Sequence, residues 1–281
     1  MKTINFILIT SFFIILFSFH ANASINNLTS MRNNPVKIAM AQIVCLDDDL
    51  QGNLVRIENA IIEAKEKQAE MIVFPESSLL GWVNPNAHQR ACPIPGEDSE
   101  KICKLAIKYK IYICIGLDEK DGDKLYDSAI LIDNNGHILL KHRKINVLPG
   151  LMTPPYSVGE GVQAVKTKFG MIGVMICADS FMENLLENLK AQKPDLLLIP
   201  YGWAAVEKDW PAHGKELEKV VKNAATIVGC PVVGVDLIGQ ISHGPWTGQI
   251  YGGHSVAYNP KNDHFIIGKD RDREIVIVKI D

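Results

Sequence analysis

The segment of residues 170–181 places a cysteine where an apolar strand pattern changes into a helical pattern. The first part is apolar and partly β-branched, which predicts a buried β-strand that ends at Cys177. Beyond the cysteine, apolar residues recur at spacings of three and four, as in a helix: Phe181, Met182, Leu185, Leu186 and Leu189. A thiol at such a turn lies near a helix N-terminus, whose partial positive charge favours the thiolate. The segment therefore predicts either a nucleophilic thiol or a buried structural cysteine.

The rest of the chain alternates between strand-like and helix-like segments, which is typical of an α/β protein. Helical periodicity predicts amphipathic helices over residues 53–68, 99–110 and 214–228. Apolar runs predict strands at residues 36–43, 71–74, 111–117, 129–133, 137–141, 195–200, 231–238, 254–258, 265–267 and 274–280. Hairpin signals are mixed in, at Asn134-Asn135-Gly136 and around Phe169. We therefore predict mixed sheets covered by helices, in one domain over residues 36–281.

The composition is that of an ordinary globular protein: 281 residues, 47% hydrophobic and 22% charged, which is enough to bury a core. The net charge of −3 argues against nucleic acid or an anionic membrane surface as a partner. The chain has no C-x-x-C motif, and its eight histidines show no metal-ligand spacing. The sequence therefore predicts no metal site.

The first residues have the three parts of a secretory signal peptide. Lys2 precedes an apolar run over residues 4–19, and Ala21-Asn22-Ala23 offers a cleavage site. We predict a signal peptide over residues 1–23, a disordered lead-in over residues 24–35, and export to the periplasm or the outside. The apolar run is short for a membrane-spanning helix, and an uncleaved anchor is the alternative.

All six cysteines follow this leader. Cys45, Cys114 and Cys230 lie in or beside strand-like runs, which predicts buried free thiols. An oxidising compartment permits disulfides, and a bond between Cys92 and Cys103 is one that the sequence leaves open.

Three polar residues lie at or just beyond the ends of predicted strands, and together they suggest chemistry. A carboxylate such as Glu76 is easily desolvated there, which makes it a competent base near neutral pH. Lys144 can stay protonated and stabilise a developing oxyanion. A cysteine has a pKa of about 8.5 and needs such a base. Taken singly, Glu76 is also explained as a helix N-terminal carboxylate, and Lys144 as a solvated loop lysine.

Three motifs, in this order, resemble the nitrilase (carbon–nitrogen hydrolase) superfamily: FPE at residues 74–76, KHRKI at 141–145 and GVMICAD at 173–179. Further landmarks extend the resemblance over residues 36–281. The resemblance implies a four-layer α-β-β-α sandwich with two mixed sheets, which often pairs into a homodimer or a higher oligomer. It also implies chemistry without a metal or an organic cofactor.

By motif match, Cys177 would be the nucleophile, Glu76 the general base, and Lys144 the oxyanion partner together with the backbone N–H of Ala178. This implies hydrolysis of a small amide or carbamoyl compound through a thioester. Two alternatives use the same scaffold. One is acyl transfer to an amine, and the other is a non-catalytic exported binding protein.

Three features depart from the pattern of this family. Many members carry a second glutamate in the loop after the lysine, but residues 146–155 contain no carboxylate. We expect Glu119 to take that supporting role. Tyr126-Asp127 replaces the more usual Tyr-Asn, and Ala178-Asp179 after the cysteine resembles the amidase branches, which favours amides over nitriles.

Aromatic residues follow the predicted strand at residues 195–200, and Tyr201 and Trp203 are our candidates for substrate binding. Ordinary packing beneath loops or at a dimer interface is the alternative. The predicted export suggests that the amide substrate is met outside the cytosol.

Overall fold

Two six-stranded sheets form the centre of the computed structural model, which describes residues 35–281. The strands are β1 (Val36–Gln42), β2 (Met71–Val73), β3 (Tyr112–Asp121), β4 (Lys124–Ile132), β5 (Ile138–Arg143), β6 (Gln163–Thr167), β7 (Gly170–Val174), β8 (Leu196–Pro200), β9 (Ala204–Ala205), β10 (Val232–Val235), β11 (Ile238–Gln240), β12 (Ile250–Gly252), β13 (Val256–Asn259), β14 (His264–Ile267) and β15 (Glu274–Ile280). The helices are α1 (Leu50–Glu66), α2 (Ala87–Arg90), α3 (Glu97–Tyr109), α4 (Glu183–Lys190) and α5 (Ala212–Val228). The predicted leader, and all but the last residue of the predicted lead-in, lie outside the described residues.

Both sheets are mixed, as the sequence predicts. The first has the order β15-β1-β2-β3-β4-β5, with β1, β2 and β3 parallel and the outer neighbours antiparallel. The second has the order β14-β13-β10-β8-β7-β6, with β10, β8 and β7 parallel. Parallel strands need long crossovers, and the helices supply them.

The two sheets pack face to face, and helices cover their outer faces. Met40 and Val73 of the first sheet pack in one core cluster with Val174 of the second sheet, and the same cluster includes the apolar residues of α4 and α5. The other cluster joins α1 and α3 to the opposite side of the first sheet, where Ile61 and Ile72 are fully buried. This is the predicted four-layer α-β-β-α sandwich.

Local signals explain several element boundaries. The side chain of Asp49 accepts a hydrogen bond from Gly52 N at 3.1 Å and caps α1. The β4–β5 hairpin turns through Gly136, whose φ of +83° suits glycine. Helix α5 ends at Gly229, which is also left-handed.

A small antiparallel sheet of β9, β11 and β12 was not predicted from the sequence. Its strands have two or three residues each, which is too short to produce a visible alternation. Within residues 35–281, no helix combines the length and the hydrophobicity that a membrane span needs.

All six cysteines lie within the described residues, and all are free. Cys45, Cys114 and Cys230 are buried, as predicted, and Cys92 and Cys103 are not bonded to each other.

The carboxyl ends of the central parallel strands of both sheets meet at one edge of the sandwich. The backbone N–H of Glu76, beyond β2, donates to the carbonyl of Tyr201, beyond β8, at 3.3 Å. In α/β folds this edge is where ligands bind.

Candidate active site

Glu76, Lys144 and Cys177 come from distant parts of the chain and lie together at this edge. They follow β2, β5 and β7, respectively. Lys144 Nζ donates a hydrogen bond to Glu76 Oε1, and the charges of both residues act on the Cys177 thiol. The three residues are 0%, 2% and 4% exposed, in the same order. The structure thus brings together the three residues that the sequence singles out.

Cys177 lies in a strained turn at the end of its strand. Its φ is +41°, in the left-handed region that non-glycine residues rarely adopt. Such a conformation costs on the order of 1–3 kcal/mol and persists only where the surroundings enforce it. Ser180 Oγ donates to the Cys177 carbonyl at 2.6 Å and lies 2.9 Å from the Tyr201 hydroxyl. The backbone N–H of Gly202 is directed at the thiol and acts to lower its pKa.

The helix that the sequence predicts directly after the cysteine begins later. A short 3-10 turn, Cys177–Phe181, comes first, and Met182 is extended with φ −93° and ψ 103°. Phe181 and Met182 are therefore exposed, whereas the other residues of the predicted apolar face are buried in α4. The thiol therefore lies at the start of a short 3-10 turn, and the predicted α-helix begins only at Glu183. Lys144 and the Gly202 N–H supply the positive field instead.

Asp179 joins the turn after Cys177 to the segment after Lys144. Its Oδ1 accepts hydrogen bonds from the backbone N–H groups of Ile145 at 2.9 Å and Asn146 at 2.7 Å. Its Oδ2 lies 2.7 Å from His142 Nε2. Although burial opposes ionisation, these hydrogen bonds hold the pKa of Asp179 below its usual value.

The segment after Lys144 also holds the residue next to Cys177 in place. Asn146 Nδ2 donates to the carbonyl of Ala178 at 2.7 Å, and Ala178 is fully buried. The Ala178 N–H, which the family resemblance implies as an oxyanion donor, belongs to the preceding peptide, whose Cys177 carbonyl accepts the hydrogen bond from Ser180 Oγ.

The protonation states follow from burial and charge. Burial raises the pKa of the Cys177 thiol well above its ordinary value, Glu76 raises it further, and Lys144 only partly opposes this. Burial alone would lower the pKa of Lys144, but Glu76 and Asp127 raise it well above its usual value. At neutral pH the site therefore holds a thiol and an ammonium group, and the thiol needs a base to become a nucleophile.

Two further residues contact this group, and sequence reasoning did not place them there. Trp82 Nε1 donates to Glu76 Oε1 at 2.9 Å. Asp127 Oδ2 accepts from Lys144 Nζ at 3.2 Å. The sequence shows Asp127 only as a departure from the family pattern, and Trp82 only as one of several aromatic residues in loops that could line a pocket.

Glu119 lies on the face of β3 that points away from Glu76, Lys144 and Cys177. Its carboxylate accepts hydrogen bonds from Ser128 at 2.7 Å, from Lys141 at 2.5 Å, and from Arg143 at 2.8 and 2.7 Å. Successive residues of a strand point to opposite faces, so Asp118 faces the site in its place. Asp118 is fully buried, and burial raises its pKa to about 7. The expectation that Glu119 supports the active site therefore finds no contact in this geometry.

Tyr201 and Trp203 lie beside the site in different ways. Tyr201 is fully buried behind the cysteine turn, so it packs under the site and is not open to a ligand. Trp203 is half-buried, and its Nε1 donates to the carbonyl of His213 at 2.9 Å. Its ring meets the exposed ring of Phe181 edge-on, with centroids 5.6 Å apart. Trp203 is thus the candidate that a ligand can reach.

Among residues 35–281, no group of three or more His, Cys, Asp or Glu side chains is arranged to hold a metal ion. Three cavities of about 410, 530 and 410 Å³ lie elsewhere on the molecule, and Glu76, Lys144 and Cys177 line none of them.

Comparisons with known proteins agree on one family. Residues 37–281 match the sequence model of the carbon–nitrogen hydrolases. A bifunctional nitrilase/nitrile hydratase of Nicotiana tabacum is 27% identical over 186 residues, which cover 59% of this chain and 53% of that enzyme. An omega-amidase of Xenopus tropicalis is 28% identical over 176 residues, covering 59% of this chain and 63% of its own length. The chain thus spans about half the length of the plant enzyme it matches.

The fold also matches a solved structure. An amidase from Nesterenkonia sp. superimposes with a TM-score of 0.76 at 19% identity, covering 89% of this chain and 91% of that one. A mutant of that amidase has been crystallised with butyramide, and another carries the acetamide moiety of fluoroacetamide on its active-site cysteine.

Proposed function

Because this chain belongs to the carbon–nitrogen hydrolase family, we propose that it hydrolyses small amides through a thioester formed on Cys177. One observation carries the proposal. A buried thiol in a strained turn lies beside a carboxylate that is hydrogen-bonded to a lysine, and nucleophilic amide cleavage needs this combination.

The reaction follows from the protonation states. Glu76 takes the proton of the Cys177 thiol, and the thiolate attacks the carbonyl carbon of the amide. Negative charge then develops on the carbonyl oxygen, and the Lys144 ammonium and the backbone N–H of Ala178 stabilise it. Glu76 returns the proton to the departing nitrogen, and the C–N bond breaks to leave a thioester. Glu76 then takes a proton from water, whose oxygen attacks the thioester carbonyl. The C–S bond breaks to release the acid, and the departing Cys177 thiolate takes the proton back from Glu76.

Burial limits the size of the substrate. Cys177 is only 4% exposed, so the group that reaches it is narrow. The exposed Phe181 ring and the half-buried Trp203 ring contact each other, and Trp203 also contacts Tyr201 behind the cysteine turn. We therefore propose small, uncharged amides or carbamoyl compounds as substrates, with the Trp203 ring lining the approach.

The test is release of ammonia or amine by the purified protein from small aliphatic amides, N-carbamoyl compounds and nitriles. Cys177→Ala should abolish release, whereas Cys103→Ala, which changes a half-buried cysteine outside the site, should keep it. The intact mass after treatment with fluoroacetamide should show one adduct that Cys177→Ala lacks. Adding hydroxylamine as an acceptor separates hydrolysis from acyl transfer. A protein that neither reacts with fluoroacetamide nor releases product from any of these compounds is not a thiol amidase.

We also propose that the protein is exported and that it forms a homodimer or a higher homo-oligomer, as the resemblance to its family implies. The export proposal rests on Lys2, the apolar run over residues 4–19 and the Ala21-Asn22-Ala23 site. N-terminal sequencing of the protein recovered from the producing cells should begin at Ser24. Sedimentation of the same material measures its oligomeric state, and a monomer would contradict the proposed oligomer.

A further inference from the structure

The buried charges around Lys144 do not balance. Lys144 Nζ donates to both Glu76 Oε1 and Asp127 Oδ2, the latter at 3.2 Å, and all three side chains are at most 2% exposed. The other titratable groups that face Asp127 are Asp118, Tyr156 and Cys177. An unpaired buried charge costs several kcal/mol, and of two carboxylates that share a site one normally keeps its proton.

The hydrogen bonds indicate which carboxyl group keeps the proton. Glu76 Oε1 accepts from both Lys144 and Trp82, so the ionised form of Glu76 is well stabilised. Asp127 accepts a single, longer bond from the same lysine, and its Oδ1 has no partner among the described residues. Burial, together with the neighbouring Glu76, raises the pKa of Asp127 well above its usual value. The surroundings therefore stabilise the ionised form of Asp127 less than the ionised form of Glu76.

A proton on Asp127 would also satisfy atoms that otherwise lack a partner. The two carboxyl groups lie within hydrogen-bonding reach of each other. Glu76 Oε2, like Asp127 Oδ1, accepts no hydrogen bond from the described residues. Two ionised carboxylates offer only acceptors to each other, whereas one proton makes a donor–acceptor pair.

We propose that Asp127 is a positioning residue that keeps its proton while Glu76 is ionised, and that it holds Glu76 ready to accept the proton of Cys177. This inference rests on the proposed function, in which Glu76 is the base. When Asp127 loses its proton at higher pH, Lys144 is shared between two carboxylates and a second negative charge lies near the thiol. Both changes disfavour thiolate and oxyanion, so Asp127 sets the alkaline limit of activity.

The direct test is infrared difference spectroscopy of the full chain at pH 7, which needs no substrate. Asp127→Asn should remove the carbonyl stretch of a protonated carboxylic acid. Glu119→Gln is the matched control, since Glu119 is equally buried but held by Lys141 and Arg143, and this variant should remove a carboxylate band. Asp127→Ser carries the same expectation if the asparagine variant does not fold. Loss of a carboxylate band on substitution of Asp127 would overturn the assignment.

The second readout is the pH profile of kcat/KM. Asp127→Asn supplies a neutral amide donor, so we expect about a tenfold loss at pH 6, comparable to one weakened hydrogen bond. We expect the alkaline limb to move up by at least about one pH unit, since the group that titrates there is gone. An unchanged alkaline limb would contradict the inference. If the unaltered protein is inactive on every amide, the proposed function fails, while the spectrum still decides where the proton lies.

Discussion

The two faces of strands β3–β5 carry charged clusters of opposite character. The outer cluster (Glu119, Asp121, Lys141 and Arg143) faces away from the second sheet and pairs two acids with two bases. Glu119 receives four hydrogen bonds there, from Ser128, Lys141 and twice from Arg143. Charge and hydrogen-bonding capacity are both satisfied, as in a cluster that stabilises a fold.

The inner cluster (Glu76, Asp127 and Lys144) includes Asp127 on the opposite face of β4 and has more carboxyl groups than cations. Two of its carboxyl oxygens have no partner among the described residues. Arg143 and Lys144 are consecutive in sequence, yet one completes the balanced cluster and the other serves the unbalanced one. The comparison teaches that an excess of buried carboxyl groups over cations, rather than the mere presence of charge, distinguishes the inner cluster as the candidate for a functional site.

The largest expected effect comes from Glu76→Gln. Removal of the base should lower kcat/KM by roughly a thousandfold, within the usual range for a general base. The free energy of unfolding should not fall, because Asp127 can lose its proton and pair with Lys144 in place of Glu76. Steady-state kinetics and denaturant unfolding of the same preparation measure the two quantities. A variant that loses stability in step with activity would show that Glu76 is structural, as Glu119 is.

Glu119→Gln should give the opposite pattern. It leaves Lys141 and Arg143 without their main buried partner, and we expect a loss of about 2 kcal/mol in the free energy of unfolding. This figure lies below that for a fully buried pair because the lysine and arginine side chains are 32% and 23% exposed. The kcat/KM value should stay within about threefold of the unaltered protein. A large loss of activity with unchanged stability would restore the sequence-based expectation that Glu119 supports the site.

The contrast between the two clusters also explains what the sequence could predict of the site. Glu76 and Cys177 follow apolar runs and Lys144 follows a predicted strand, and the resemblance of residues 74–76, 141–145 and 173–179 to family motifs singles out the three together. The choice between Glu119 and its neighbours is not visible. That choice depends on which alternate residues of β3 face the second sheet, and on the register that pairs Asp118 with Asp127. A register shift of one residue would exchange the two faces of the strand. The contacts of Trp82 and Gly202 depend on loops that meet only in the folded chain.

The same distinction holds for the fold. The layers and the mixed sheets follow from the alternation of strand and helix patterns, and the predicted helices are displaced by only a few residues. The break between Cys177 and α4 was missed, because Phe181 and Met182 continue the apolar spacing although they are exposed. The spacing of apolar residues does not show that an extended residue, Met182, separates the 3-10 turn at Cys177 from helix α4.

The pH dependence of the outer cluster sharpens the comparison. Although burial opposes ionisation, Arg143 and Lys141 hold the pKa of Glu119 below its usual value. The unfolded chain therefore takes up the proton first as pH falls, and the stabilising contribution is complete above about pH 5. The difference in unfolding free energy between the unaltered protein and Glu119→Gln should be constant from pH 7 to 5 and shrink below about pH 4. A difference that grows in acid would mean that Glu119 is protonated in the folded state.

The smallest expected effect is that of Asp121→Asn. Asp121 belongs to the same cluster and contacts Arg143 at 2.8 Å, but its side chain is 61% exposed. Water and salt screen such a pair, so we expect a change below about 0.5 kcal/mol, and less at high ionic strength. Denaturant unfolding at low and high salt measures it against Glu119→Gln. A loss as large as that of Glu119→Gln would mean that every ion pair of the outer cluster stabilises the fold equally, whether buried or exposed. A negligible loss would mean that the buried Glu119 carboxylate and its hydrogen bonds provide the stability.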